Sequence, residues 1–235
     1  MDNRRLKTLI LYHIYSSKIL AAILLLIMAI NLVLGLIFKE VPNPVGSIDL
    51  AAYIFAVFVG FELFLESFSF AMINGISRKT YYISNILSIL FISLFLGSLT
   101  ALFSLFSTHY ANNLVLFNLL YKEDVFALFL WCSVFIYAMI NIFHFSSLVF
   151  YRLSKKIKYI VMIVSVLLFS FVVLLDLLFE GLLGYLQKFS LLFLGIRVNG
   201  AEIITSPYLS SVCLFLLSLF FIALSWSFLR KIETK

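Results

Sequence analysis

Charge is what this sequence carries least of. Asp, Glu, Lys and Arg make up 12% of its 235 residues, about half the share of a typical soluble domain. That leaves too little polar surface to face water, and a lipid bilayer is the solvent that tolerates the deficit. Only two cysteines are present, Cys132 and Cys213, in separate apolar runs, so neither a disulfide framework nor a clustered metal site is expected. None of the nine glycines is followed by lysine, so the backbone-and-lysine phosphate cradle of an ATPase is missing. His13, His109 and His144 lack the H-E-x-x-H spacing of a zinc protease. The G-x-S-x-G elbow of a serine hydrolase is missing too.

What is present is apolar length. The composition is 64% hydrophobic with a mean hydropathy of +1.15. Six runs reach the roughly 20 residues that a helix needs to cross a hydrocarbon core: 19–38, 48–73, 81–106, 125–150, 159–179 and 209–229. Stretches such as Ile23–Ile27 are apolar almost throughout, which favours helices over the alternating pattern of a membrane barrel. The first run is longer than a signal core and no small-residue cleavage site follows it, so it reads as a permanent span. The fold class expected is an all-α membrane protein of six spans in one transmembrane domain, residues 1–235.

The basic residues set the orientation. Of the 17, Lys39, Lys122, Lys188 and Arg197 fall on one side of the six runs and the remaining 13 on the other. Cytoplasmic loops collect Lys and Arg, which places both termini in the cytoplasm of a bacterial inner membrane. The net charge of +6 then follows from this bias beside anionic lipid, and no nucleic-acid partner is implied.

Three segments are not spans. Residues 1–18 place Leu6, Leu9, Ile10, Ile14 and Ser17 on one helical stripe, suiting a helix in the cytoplasmic interface. Residues 74–80 form a short cytoplasmic connection. Residues 180–207 form the longest outer loop, and its Leu182, Leu183 and Leu191–Leu194 are too apolar for a solvated loop. Short re-entrant helices, shielded by protein, are expected there.

The sharpest polar feature is the pair Glu62 and Glu66, at i and i+4 on the second run and therefore on one helix face. Carboxylates in lipid need protein or water partners. Two readings stand: a polar path or conformational latch, and a structural ion pair with Arg4, Arg5, Lys7 or Lys18. Asp176 and Glu180 repeat the spacing near the outer end of the fifth run, within reach of Lys188 or water. His144 and Asn141, one turn apart on the fourth run, suit interhelical hydrogen bonds.

The connection Asn74-Gly75-Ile76-Ser77-Arg78-Lys79-Thr80, entered by Phe68-Ser69-Phe70 and left by Tyr81-Tyr82, resembles the first intracellular loop of type-2 ATP-binding-cassette (ABC) exporter permeases. Gly75 permits a sharp exit from the second span, and Ser77 can cap the next helix. The resemblance implies an N-terminal elbow helix, six spans, outer re-entrant helices between spans five and six, and a coupling element at Gly75, Ile76, Ser77, Arg78, Lys79 and Thr80. It implies no cofactor in this chain: ATP and magnesium would be held by a separate nucleotide-binding ATPase subunit, and a second permease chain, identical or not, would complete the pathway. With no fused ATPase domain, the chain is similar to the half-size bacterial form, which exports amphipathic peptides, toxins such as lantibiotics and phenol-soluble modulins, or drugs. Readings of other classes are a membrane-embedded hydrolase built on Glu62, Glu66 and His144, a vitamin-binding subunit of an energy-coupling-factor importer, and a passive scaffold or immunity protein.

Overall fold

A computed structural model describes residues 3–16, 18–37, 48–65, 67–111, 117, 120–121, 124–153, 157, 194–199 and 202–230. In chain order these form α1 (Asn3–Ser16), α2 (Lys18–Ile37), α3 (Ile48–Leu65), α4 (Ser67–Ile73), α5 (Arg78–Ala111), α6 (Val125–Arg152), strands β1 (Ile196–Asn199) and β2 (Glu202–Thr205), and α7 (Pro207–Leu229). Four helical runs among the described residues are long and apolar enough to cross a membrane: Ala51–Ile73, Arg78–Phe106, Val125–Arg152 and Pro207–Leu229. The protein is a helical membrane protein. The fifth expected span, Asp176, Glu180 and Lys188 lie outside the described residues, as does Glu66.

Helix α6 is the central post, packed against α3, α5 and α7. Two glycines bring the backbones close. A Cβ on Gly60 would lie 2.8 Å from the Ile140 carbonyl oxygen, and one on Gly97 would lie 2.5 Å from the Ser133 Cα. Small residues at helix crossings are how spans gain dispersion contact when lipid removes the hydrophobic drive between them. The main core gathers Leu24 and Met28 of α2, Tyr53 and Val59 of α3, Ile89 and Leu96 of α5, and Trp131 and Ile136 of α6. Large exposed side chains such as Phe91, Phe95, Val212, Leu216 and Phe220 cover the outside, as a lipid-facing surface requires.

Most hydroxyls in the spans bond back to their own helix. Ser98 donates to the Leu94 carbonyl, Thr100 to Leu96, Ser146 to Ile142 and Ser211 to Pro207, each four residues back. Other polar groups bond between helices, among them Asn85 Nδ2 to His144 Nε2 (3.2 Å), Trp131 Nε1–H to Ser210 Oγ (3.1 Å), and Ser147 Oγ–H to the Phe61 carbonyl (3.2 Å).

Cross-helix contacts fix the directions. Arg78 at the start of α5 meets Arg230 just past α7, and Arg152 at the end of α6 lies over the Phe228 ring of α7. These define a basic end. At the opposite end, Tyr208 donates to Asp124, joining the starts of α7 and α6, and the hairpin lies nearby. The chain therefore leaves α6 at the basic end and enters α7 at the hairpin end.

Three expectations are refined. Within 180–207, part of which was expected as short re-entrant helices, Ile196–Asn199 and Glu202–Thr205 pair as antiparallel strands, with Ile196 opposite Thr205 and Asn199 opposite Glu202; residues 180–193 lie outside the described residues. The strands of this hairpin carry the β-branched Ile196, Val198, Ile203, Ile204 and Thr205, a strand signal that the apolar Leu191–Leu194 overshadowed. Next, α5 begins at Arg78, three residues before the expected start at Tyr81, so Arg78, Lys79 and Thr80 form its first turn; the Ser77 cap starts it early. Finally, the inward stripe of α1 is Leu6, Leu9, Ile10 and His13, with His13 fully buried, while Ile14 is exposed. The spacing i, i+3, i+4, i+7 holds, with an imidazole in its last place.

Candidate functional site

The connection at the basic end is built from two opposed helix caps. Gly75 takes the left-handed conformation (φ +67°), which glycine adopts without the Cβ clash. Its N–H bonds to the Met72 carbonyl (3.1 Å), and the Ile76 N–H reaches back to Ala71 (3.0 Å). This is the paired bonding of a Schellman cap, and Ile76 packs in the same apolar cluster as Ala71. The Asn74 side chain adds a bond to the Phe70 carbonyl (2.8 Å). Directly afterwards Ser77 caps α5, its Oγ accepting from the Thr80 N–H (3.2 Å) and lying 2.8 Å from the Thr80 hydroxyl. Caps thus close the end of α4 and open α5 within seven residues.

Its outer edge is exposed. Ile73 is 86% accessible, and Asn74, Gly75, Ser77 and Lys79 are exposed with it. Arg78 is half-buried and differs from its neighbour: its guanidinium donates to the Arg230 carbonyl (2.8 Å). Thr80 is buried. The six residues singled out from the sequence therefore divide into a cap glycine, an apolar anchor, a cap serine, an engaged cation, an exposed cation and a buried threonine.

Beneath the turn lies a second, smaller core of Leu9, Phe64, Phe68, Ala71, Tyr81, Leu148 and Leu229, which seats α1 on the bundle. Tyr12 stacks on Phe70 (5.0 Å between centroids), and His13 meets the Tyr81 ring at 6.1 Å. The Tyr81 hydroxyl lies 2.9 Å from Ser67 Oγ and donates to the Leu63 carbonyl. His144 of α6 stands edge-on to Phe64. Burial holds the His13 imidazole neutral, lowering its pKa from 6.5 to about 4. The sequence reading noted His13 only for lacking a zinc partner. The signal available was its place in the α1 stripe.

Of the polar candidates, Glu62 is half-buried on α3, and its expected companion Glu66 lies outside the described residues, as do the side chains of Arg4 and Arg5. His144 makes the interhelical bond expected of it, to Asn85. Asn141 instead donates to the Tyr137 carbonyl of its own helix (2.8 Å). Cys132 is buried on α6 and Cys213 half-buried on α7.

At the hairpin end Gly195 also has a positive φ, +65°, and the Ser206 N–H bonds to its carbonyl (3.0 Å), closing the hairpin base. Ser206 then caps α7 through the Leu209 N–H. Asp124 caps α6 by accepting from the Phe126 and Ala127 N–H groups. The Tyr208 hydroxyl and those amides hold its carboxyl below the usual range.

No protein-family profile, curated protein or solved structure matches this chain.

Proposed function

We propose that the chain is the permease subunit of an ABC exporter of the half-size bacterial kind. It would lie in the cytoplasmic membrane with six spans and both termini inside, carrying an amphipathic or hydrophobic peptide, toxin or drug. ATP would be hydrolysed by a separate subunit, with none of that chemistry in this chain. The observation that carries the reading is the turn Ile73–Lys79: doubly capped, exposed, and set at the end where Arg78, Lys79, Arg152 and Arg230 lie. Such a preformed tip can bear on a partner without the cost of ordering a loop.

Two further features support it. The packed position of α1, with Leu11, Ile14 and Tyr15 exposed, suits an elbow helix that shows its outer face to lipid. The opposite positions of the α6 exit and the α7 entry suit a further crossing between them, giving six spans once α2 is counted. Glu62 and Glu66 would form a polar path or latch at the inner boundary, and a second permease chain would complete the route.

The test is to purify the chain in nanodiscs together with the products of its neighbouring genes. A nucleotide-binding subunit is expected to be retained, and Lys79→Glu to reduce the retained amount several-fold while the fold persists. Failure of any ATPase to associate with the intact chain would overturn the reading.

A further inference from the structure

Arg78 and Lys79 are adjacent basic residues on the same turn, yet they face different tasks. A cation in the first turn of a helix opposes the positive end of the helix dipole, whereas the carbonyl end of a helix attracts it. Arg78 resolves this by leaving its own helix. Its guanidinium reaches the Arg230 carbonyl at 2.8 Å, across 152 positions of sequence, just past the last residue of α7. One turn further along α5, the Tyr82 hydroxyl donates to the Ile222 carbonyl (2.7 Å) and its ring lies 4.8 Å from that of Trp226. Arg230 in turn covers the Trp226 ring at 4.6 Å, and Leu229 is buried in the small core beneath the turn. The first turn of α5 and the last turn of α7 are therefore clamped at two levels. Lys79 is exposed and turned to solvent.

We propose that Arg78 is a positioning strut that ties the connection at Asn74–Ser77 to α7, and that Lys79, not Arg78, is the cation offered to the partner subunit. The functional half of this inference rests on the permease reading. Helix α7 is a 23-residue rod, about 34 Å long, and its far end is capped by Ser206, whose N–H closes the hairpin base at Gly195. Force on the turn would pass through Arg78 to one end of this rod and reach the hairpin at the other. The Arg78 bond is charge-assisted and so among the stronger kinds.

The test compares Arg78→Gln, Arg78→Lys and Lys79→Gln in the full chain in nanodiscs by two measurements. Hydrogen exchange of the amides at Trp226–Arg230 is expected to quicken roughly tenfold in Arg78→Gln, to be restored in good part in Arg78→Lys, and to be unchanged in Lys79→Gln. Equal exchange in all three would overturn the strut whether or not an ATPase binds. In the complex with the ATPase subunit, Arg78→Gln should keep the subunit but abolish any ATP-dependent change in thiol labelling of Val212→Cys, an exposed position on α7, while Lys79→Gln should lower the amount of subunit retained. Loss of the subunit from Arg78→Gln would overturn the assignment by making Arg78 a docking contact. An unmutated chain that retains no ATPase would instead sink the permease reading and leave the strut to the exchange result.

Discussion

The two ends of the bundle each turn on a glycine held at positive φ, and the surroundings of the two could hardly differ more. Gly75, at the basic end, has nothing within 4 Å of where a Cβ would stand. Gly195, at the hairpin end, would drive a Cβ to 2.3 Å from the Ser206 carbonyl oxygen and 3.0 Å from the Ser210 nitrogen. The first glycine serves conformation alone and leaves the space beside the turn open. The second serves conformation and close packing, and seals the hairpin onto the start of α7.

The sharpest way to break this contrast is to add a methyl group at each glycine. Gly195→Ala should cost about 2–4 kcal/mol, combining left-handed strain with a backbone collision, read as a fall in the thermal midpoint of the detergent-solubilised chain. A loss no greater than that of Gly75→Ala would show that the hairpin base is not tightly packed. The basic end has its own vulnerability in His13. Burial lowers its pKa to about 4, so an undocked α1, with the ordinary value of 6.5, binds more protons between those limits. Docking is then full above pH 6.5 and weakens as the pH falls toward 4, by up to about 3 kcal/mol. Amide exchange of α1, corrected for intrinsic rates, should rise over that window, and His13→Gln should flatten the rise. An unchanged slope in the variant would assign the effect to another group. The smallest effect is expected at Gly75→Ala, about 1 kcal/mol of backbone strain with no collision, seen as a slight fall in thermal midpoint with retention of the ATPase subunit intact.

Hydropathy made the spans legible because lipid imposes one rule on every helix that crosses it. Val125–Arg152 and Pro207–Leu229 begin at or within two residues of the expected starts, and each has a visible cap, Asp124 and Ser206. Gly75 and Ser77 were legible as caps because their chemistry is local. The tie from Arg78 to Arg230 was not, since only the folded bundle brings positions so distant in sequence together. His13 was misjudged because an amphipathic pattern scores histidine as polar, whereas a neutral imidazole can fill an aromatic pocket among Tyr12, Tyr81 and the small core. The hairpin was missed because it lies in a stretch where hydropathy is high and strand pairing obeys a different rule.

The hydroxyls that bond back along their own helices carry a consequence for biogenesis. Ser98, Thr100, Ser146 and Ser211 have their protons satisfied before any neighbour arrives, so a span can leave the translocon and enter lipid without a partner to shield them. Asn85 and His144 bond to each other across helices, and Trp131 to Ser210. Insertion and assembly are thereby separated in time: hydroxyl-bearing spans enter singly, and the few amide, imidazole and indole groups remain as the unmet polar demand that selects the correct neighbours afterwards.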